Sequence, residues 1–210
     1  PVPAPNLALQ LKANWKLDGN ALDSTGTFNG VVAGAISAPG KVSGALQFDG
    51  IDDVVNIPSA ALNLGGNFSS SAWIRSPITG AAEKTILARG SRGPGGYEIY
   101  LTAQNEIQFY SAELGTIASG VVLGNNTWQH IAVTYSIGVI KFYLDGRFVA
   151  AKTATGTIPD GVAIVGIGAN AAENARHFIG LIDELRVYER TVTSAEIALL
   201  ASGSGLPYYP

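Results

Sequence analysis

A chain of 210 residues with a net charge of −3 and no cysteine is long enough to bury one large core, and it has neither a disulfide framework nor a thiolate metal site. So small an acidic charge offers no field for nucleic acid or for an anionic membrane. No apolar run approaches the ~20 residues of a membrane span, so membrane insertion is not expected either.

Glycine is abundant, at 26 residues, and charged residues are sparse. That balance suits many strands joined by tight turns. Methionine is absent even at position 1, which predicts a segment of a longer or processed chain. Pro1 to Pro5 is extended and polyproline-like, and residues 1–6 read as an interdomain linker. Leu7, Leu9 and Leu11 alternate and begin the first expected strand, which runs on through Trp15 and Leu17.

The loop Asp18 to Gly26 packs two carboxylates, an amide and two hydroxyls around two glycines. Oxygen-rich tight loops of this kind suit Ca²⁺, which takes about 6–8 oxygen ligands. A plain Asx-turn, in which Asp and Asn bond their own backbone, explains the same residues. Leu46 to Phe48 is a strand entering the Asp49-Gly50 turn, and Asp52-Asp53 behind it is a solvated acidic edge or a second cation site. Phe68 to Arg75 is a strand with Trp73 and Arg75 on one face and Ala72 and Ile74 on the other.

Thr85 to Arg89 is the next strand. The glycine loop Gly90 to Gly96 lacks a phosphate-binding pattern and reads as a mobile loop at a sandwich end. Tyr97 to Leu101 and Ile107 to Tyr110 form a strand pair in which Glu98, Tyr100, Gln108 and Tyr110 point away from the aliphatic positions. His130 to Tyr135, Val139 to Leu144 and Phe148 to Ala151 form a meander whose second turn is Asp145-Gly146, a dipeptide suited to positive φ angles. Val162 to Ile167 is a strand, and His177 to Tyr188 is the last long one, with a break expected near Gly180. Thr193-Ser194-Ala195-Glu196 is a capping-box pattern, so a short helix follows with Ile197, Leu199 and Leu200 against the sandwich. Residues 202–210 read as a second linker around a domain at 7–201.

Several stretches together resemble the laminin-G-like, concanavalin A-like jelly rolls. They are Trp128 to Tyr135 with Phe142 to Gly146, Trp15 to Asn20, Ala45 to Gly50, Phe68 to Arg75, Gly180 to Tyr188 and Thr193 to Leu200. The resemblance implies an all-β fold: a two-sheet antiparallel β-sandwich jelly roll with a short C-terminal helix. It also implies an extracellular or cell-surface location, a monomer linked to other domains of its own chain, and a structural Ca²⁺ between the first loop and the strand near the C-terminus. Carried onto this sequence, the metal set is Asp18, Asn20, Asp23 and Asp183.

Glycosidases of that fold place carboxylates on alternate strand positions, so that both face one sugar. Here Asp183 and Glu184 are adjacent and should point to opposite faces. No nucleophile elbow and no lyase signature is present, and His130 reads as a packed structural residue. The expected function is a non-catalytic carbohydrate-binding module. Arg75, Glu98, Tyr100, Gln108 and Tyr110 form the ligand face, which Lys141 and Tyr143 extend. The loop residues Arg92, Tyr97, Asn170, Asn174 and Arg176 are a competing site. A calcium-stabilised protein-interaction or adhesion module, or an architectural spacer, is the alternative function.

Overall fold

The computed structural model describes residues 5–80 and 82–203, apart from the side chains of residues 59 and 60. Residues 1–4 and 204–210 of the two expected linkers therefore lie outside the described residues.

Two antiparallel sheets face each other across an apolar core. The first contains, in spatial order, β13 (Arg147–Ala154), β12 (Gly138–Leu144), β11 (Gln129–Ser136), β6 (Asn67–Arg75), β15 (Ile179–Tyr188), β4 (Gly44–Asp49) and β3 (Ile36–Pro39). β1 (Leu11–Trp15) also pairs with β15. The second sheet runs β10 (Gly115–Val122), β9 (Glu106–Ser111), β8 (Tyr97–Leu101), β7 (Lys84–Arg89), β14 (Ala163–Ile167), β5 (Val54–Ala60) and β2 (Val31–Ala33). This is the expected jelly-roll sandwich.

Alternation in the sequence decides the inner face of each strand. Phe68 and Ile74 on β6, Ile131, Val133 and Tyr135 on β11, and Ile140 and Phe142 on β12 point inward from the first sheet. Ile99 and Leu101 on β8, Ile107 and Phe109 on β9, and Val165 and Ile167 on β14 meet them from the second. Burying such side chains supplies about 25 cal/mol per Å² of apolar surface, the main favourable term for a sandwich. Phe68 sits at the centre, with ring centroids 5.4 Å from Phe109 and 5.5 Å from Tyr135.

The long strand β15 serves two neighbours along one edge. Its first half pairs with β4 and its second half with β1. It is one strand with no break at Gly180. The irregularity lies further on, between Asp183 and Arg186, where Glu184 takes a left-handed φ of 52° and donates its N–H to the Lys16 carbonyl. An extra residue there lets Asp183 and Arg186 share the outer face while Ile182 and Leu185 stay in the core.

The Asp145-Gly146 turn has φ of 48° and 80°, as its sequence requires. Residues 7–10 form a turn before β1 instead of extending it, and Leu7 is buried beneath the helix. That helix, α1 (Ser194–Leu200), has the full capping box between Thr193 and Glu196. Ile197 and Leu200 cover Ala132, Tyr143 and Tyr188 on the outer face of the first sheet.

Candidate functional site

The outer face of the second sheet carries a buried polar cluster. Alternation on β8 turns Glu98 and Tyr100 outward, and β9 places Tyr110 opposite Glu98 and Gln108 opposite Tyr100. Thr85 on β7 stands opposite Tyr100 and gives its hydroxyl hydrogen to Glu98.

Two loops close over this row. The loop 90–96 brings in Arg92, whose guanidinium carbon lies 4.6 Å from the Tyr100 ring centroid and 5.1 Å from that of Tyr110. Arg92 Nε donates to Glu98 Oε2 at 2.8 Å, and its Nη2 pairs with Glu83 at 2.8 Å. The loop after β14 brings in Arg176, whose Nε donates to Glu98 Oε1 at 3.0 Å and whose Nη2 pairs with Glu173. Glu173 in turn accepts the Arg92 N–H at 2.6 Å, so the ion pairs close into a ring. Tyr110 donates its phenol hydrogen to the Arg92 carbonyl at 3.1 Å. Tyr100 donates to Gln108 Oε1 at 2.6 Å.

Electrostatics follow from this packing. The Glu98 carboxylate has no exposed surface and sits between two guanidinium groups. Burial alone would weaken the proton affinity of Arg92, but the bond and charge of Glu98 outweigh it and hold the guanidinium charged. The backbone N–H of Arg92, together with Arg176, pulls the Glu173 carboxyl below its ordinary range. Burial raises the Tyr100 phenol, so it stays a neutral donor. At the surface the site presents planar guanidinium, carboxylate, amide and phenol groups. Such groups suit a ligand made of hydroxyls.

Four of the five residues expected to form one ligand face are brought together: Glu98, Tyr100, Gln108 and Tyr110. Arg75 is not among them. It projects outward from β6, so it lies on the other sheet, opposite Leu181, and it donates to Asn126 Oδ1 at 2.9 Å. Lys141 and Tyr143 are also on the first sheet, and Tyr143 is buried under α1. Arg92 and Arg176 belong to the same cluster as Glu98 and are not a competing site. Tyr97 points into the core and donates to the Leu62 carbonyl at 2.8 Å, while Asn170 is buried and bonds its own loop. Sequence reading missed Thr85, Glu83 and Glu173. A usable signal was the run of glycines around Arg92, which lets that loop fold flat onto the sheet.

The expected metal residues divide into two pairs. Asp183 is fully buried on the outer face of the first sheet. Its Oδ2 accepts the N–H groups of Lys41 and Val42, both at 2.8 Å, and its Oδ1 has no partner. Burial, and then the charges of Glu184 and Asp18, push its carboxyl up to about 7 against the backbone bonds. Asp18 holds the other end of the same loop by accepting the Gly44 N–H at 2.7 Å. A buried carboxylate with a free oxygen and a second carboxylate beside it fits a hard cation. Asp23 does not share that position. Its two oxygens accept bonds from the N–H groups of Asn14, Thr25, Thr27 and Phe28 and from the Thr25 hydroxyl. Asn20 is exposed and accepts the Leu22 N–H at 3.0 Å, an Asx-turn. The carboxylates of Asp49, Asp52 and Asp53 lie within 4.8 Å of one another, but Asp53 takes the Asp49 N–H and Asp49 takes that of Ile51.

His130 is packed edge-on to Trp73, with ring centroids 5.4 Å apart, and burial with nearby Arg186 lowers its pKa to about 3. It is a neutral packing residue. Among the described residues no helix is long and apolar enough to cross a membrane.

The chain resembles several solved structures. Domain 4 of AbnA, an extracellular GH43 arabinanase from Geobacillus stearothermophilus solved in complex with arabinotriose, is 25% identical with a TM-score of 0.75. The match covers 91% of this chain and 98% of that domain. Trypanosoma rangeli sialidase aligns at 15% identity and a TM-score of 0.68 over 91% of this chain and 32% of its own. The botulinum neurotoxin serotype G binding domain aligns at 14% identity and 0.70 over 90% of this chain and 50% of its own. These two show the fold alone, and this chain spans a third to a half of each. Residues 49–198 match the Laminin_G_3 model of the concanavalin A-like lectin/glucanases superfamily, and the chain belongs to that family.

Proposed function

We propose that this domain is a non-catalytic carbohydrate-binding module of an extracellular protein, taking an oligosaccharide on the outer face of the second sheet. The observation that carries this reading is the Arg92–Glu98–Arg176 cluster roofing Tyr100, Gln108 and Tyr110. Its arginines and glutamates hold one another in place, so the face offers oriented hydrogen-bonding groups with little conformational entropy left to lose. The full-length likeness to an arabinanase domain solved with arabinotriose supports a pentose oligosaccharide as ligand. Glu98 has both oxygens engaged by Arg92, Arg176 and Thr85, which suits positioning and not proton transfer.

The same reading includes a structural Ca²⁺ held by Asp18 and Asp183. The free Oδ1 of Asp183 supports it, because a cation there would supply the charge that the buried carboxylate lacks. Asn20 and Asp23 are left to the turn.

Titration calorimetry with arabinotriose and xylotriose tests the ligand assignment. Binding of either sugar that is lost in Gln108→Ala, with melting temperature within a few degrees of the parent, and in Arg176→Ala while that variant remains folded, is the expected result. Binding that survives both substitutions moves the site off this face. A folded protein that binds neither sugar removes the pentose assignment.

A further inference from the structure

The loop that carries Arg92 has a second side. With residues 159–163 it encloses a cleft of about 350 Å³. That lies within the range of small-ligand sites, which begins near 300 Å³ by general experience (about one compact ligand). Glycine and proline make up just over half of its lining, and Ser91, Asp160, Val162 and Ala163 are among the rest.

The floor is Arg89, the last residue of β7 and only 3% exposed. A Cβ placed on Gly95 would lie 3.2 Å from Arg89 Nη2, and one on Gly161 would lie 3.5 Å from it. The guanidinium end therefore sits directly beneath two cleft-lining glycines. The Tyr97 ring braces it from the core side, with its centroid 5.6 Å from the guanidinium carbon.

Arg89 has no carboxylate partner among the described residues. Nη1 donates to Asn63 Oδ1 at 2.6 Å and Nη2 to the Pro159 carbonyl at 2.9 Å. Nε is buried with nothing to receive its hydrogen. Asp160 lies exposed at the rim, and Glu113 accepts the Gly95 N–H, but neither forms an ion pair with Arg89. A guanidinium buried this far normally has an anion beside it. The contrast with Arg92 and Arg176, each held by two carboxylates, is internal to this molecule.

We propose that the cleft over Arg89 binds a carboxylate carried on a sugar ring, a uronic acid unit of a glycan. The volume exceeds what a bare carboxylate fills, and the lining's glycines leave room for a ring, with Ser91 and Asp160 among the residues that could meet its hydroxyls. The sugar part rests on the carbohydrate-binding reading given above, whereas the carboxylate part stands on Arg89 alone.

The test uses the full chain with sodium galacturonate, galactose and sodium acetate at matched ionic strength, followed by calorimetry or amide chemical shifts. Galacturonate should bind at least about tenfold more tightly than galactose or acetate. Gly161→Val places methyl groups over Nη2 without removing the charge. Gly161 is exposed, so the variant should fold, keep its arabinotriose binding, and lose galacturonate affinity by about tenfold or more. Arg89→Gln should abolish galacturonate binding wherever its melting temperature shows a folded protein. Galactose binding as tightly as galacturonate overturns the site, as does a Gly161→Val variant that still binds the acid. No galacturonate binding at about 10 mM overturns it as well. Acetate binding as tightly as galacturonate overturns the sugar part. Loss of arabinotriose binding alone bears only on the Arg92 face.

Discussion

Arg92 and Glu98 meet across the second sheet at 2.8 Å, joining a glycine loop to a strand that has no exposed surface at that carboxylate. The pair turns a stretch of chain with little intrinsic preference into a fixed wall. With four glycines in residues 90–96, the loop relies on such side-chain bonds, those of Glu98, Glu83 and Glu173 together, to keep the guanidinium over Tyr100 and Tyr110.

Glu98→Gln should therefore act on both stability and ligand binding. Removing one member of a buried ionic network leaves the partner charges poorly compensated, at a cost of about 3–5 kcal/mol. Arg92 and Arg176 keep some access to solvent, which places the expected loss at the low end of that range. Chemical denaturation should show a lower midpoint with an unchanged slope. Sugar binding to the same face should disappear. A variant as stable as the parent would mean that the arginines are held by Glu83 and Glu173 instead.

Asp183 gives a pH signature. Its folded pKa is raised to about 7 from an ordinary 3.8, so the folded state keeps a proton that the unfolded chain has lost. In chelator, the contribution of this residue is fully present below about pH 4 and declines as pH rises towards 7. His130 runs the other way, because its folded pKa is lowered to about 3 and its contribution declines below pH 6.5. Comparing the parent with Asp183→Asn isolates the first effect. Calcium needs the ionised carboxylate, so the calcium-induced rise in melting temperature should grow from pH 5.5 to 7.5 and vanish in the variant. A parent whose melting temperature is the same in calcium and in chelator at pH 7.5 removes the metal from this account.

Much of the architecture could be read from alternation and turn chemistry. Tyr97, Ile99 and Leu101 against Glu98 and Tyr100 gave the inner face of β8, and Asp145-Gly146 gave a hairpin. Alternation sorts residues only within their own strand, however. It says which side faces the core and not which sheet the strand joins. Arg75 was therefore grouped with Tyr100, although the core lies between them. Glu184 was illegible for a related reason. One inserted residue flips the phase of everything after it, and no glycine marks the place. The Arg92 cluster was hidden because its members come from three loops and three strands brought together only by folding.

The helix cap was fully legible and should be measurable. Thr193→Ala removes the hydroxyl that accepts the Glu196 N–H and should cost about 1 kcal/mol. Glu196→Ala should cost more, since that carboxylate also receives Arg190 and the N–H groups of Asn6 and Thr193. Burial opposes its ionisation, but these bonds overcome it and lower its pKa to about 2. Its contribution is present above about pH 4.5 and is lost as pH falls towards 2, so the parent and Glu196→Ala should converge in stability under acid. Thermal melts from pH 2 to 7 would show whether they do.

The same carboxylate has a mechanical meaning. Asn6, near the start of the described chain, and Arg190 and Glu196, near its end, are bonded to one another at 2.7–3.1 Å. Tension applied at the N-terminal side would reach Asn6 and its bonds to Glu196 and Arg190 before it reached β1. The clamp ties the residues just before β1 to the segment that caps α1. Until that clamp parted, pull on the first residues would not begin to strip β1 from β15.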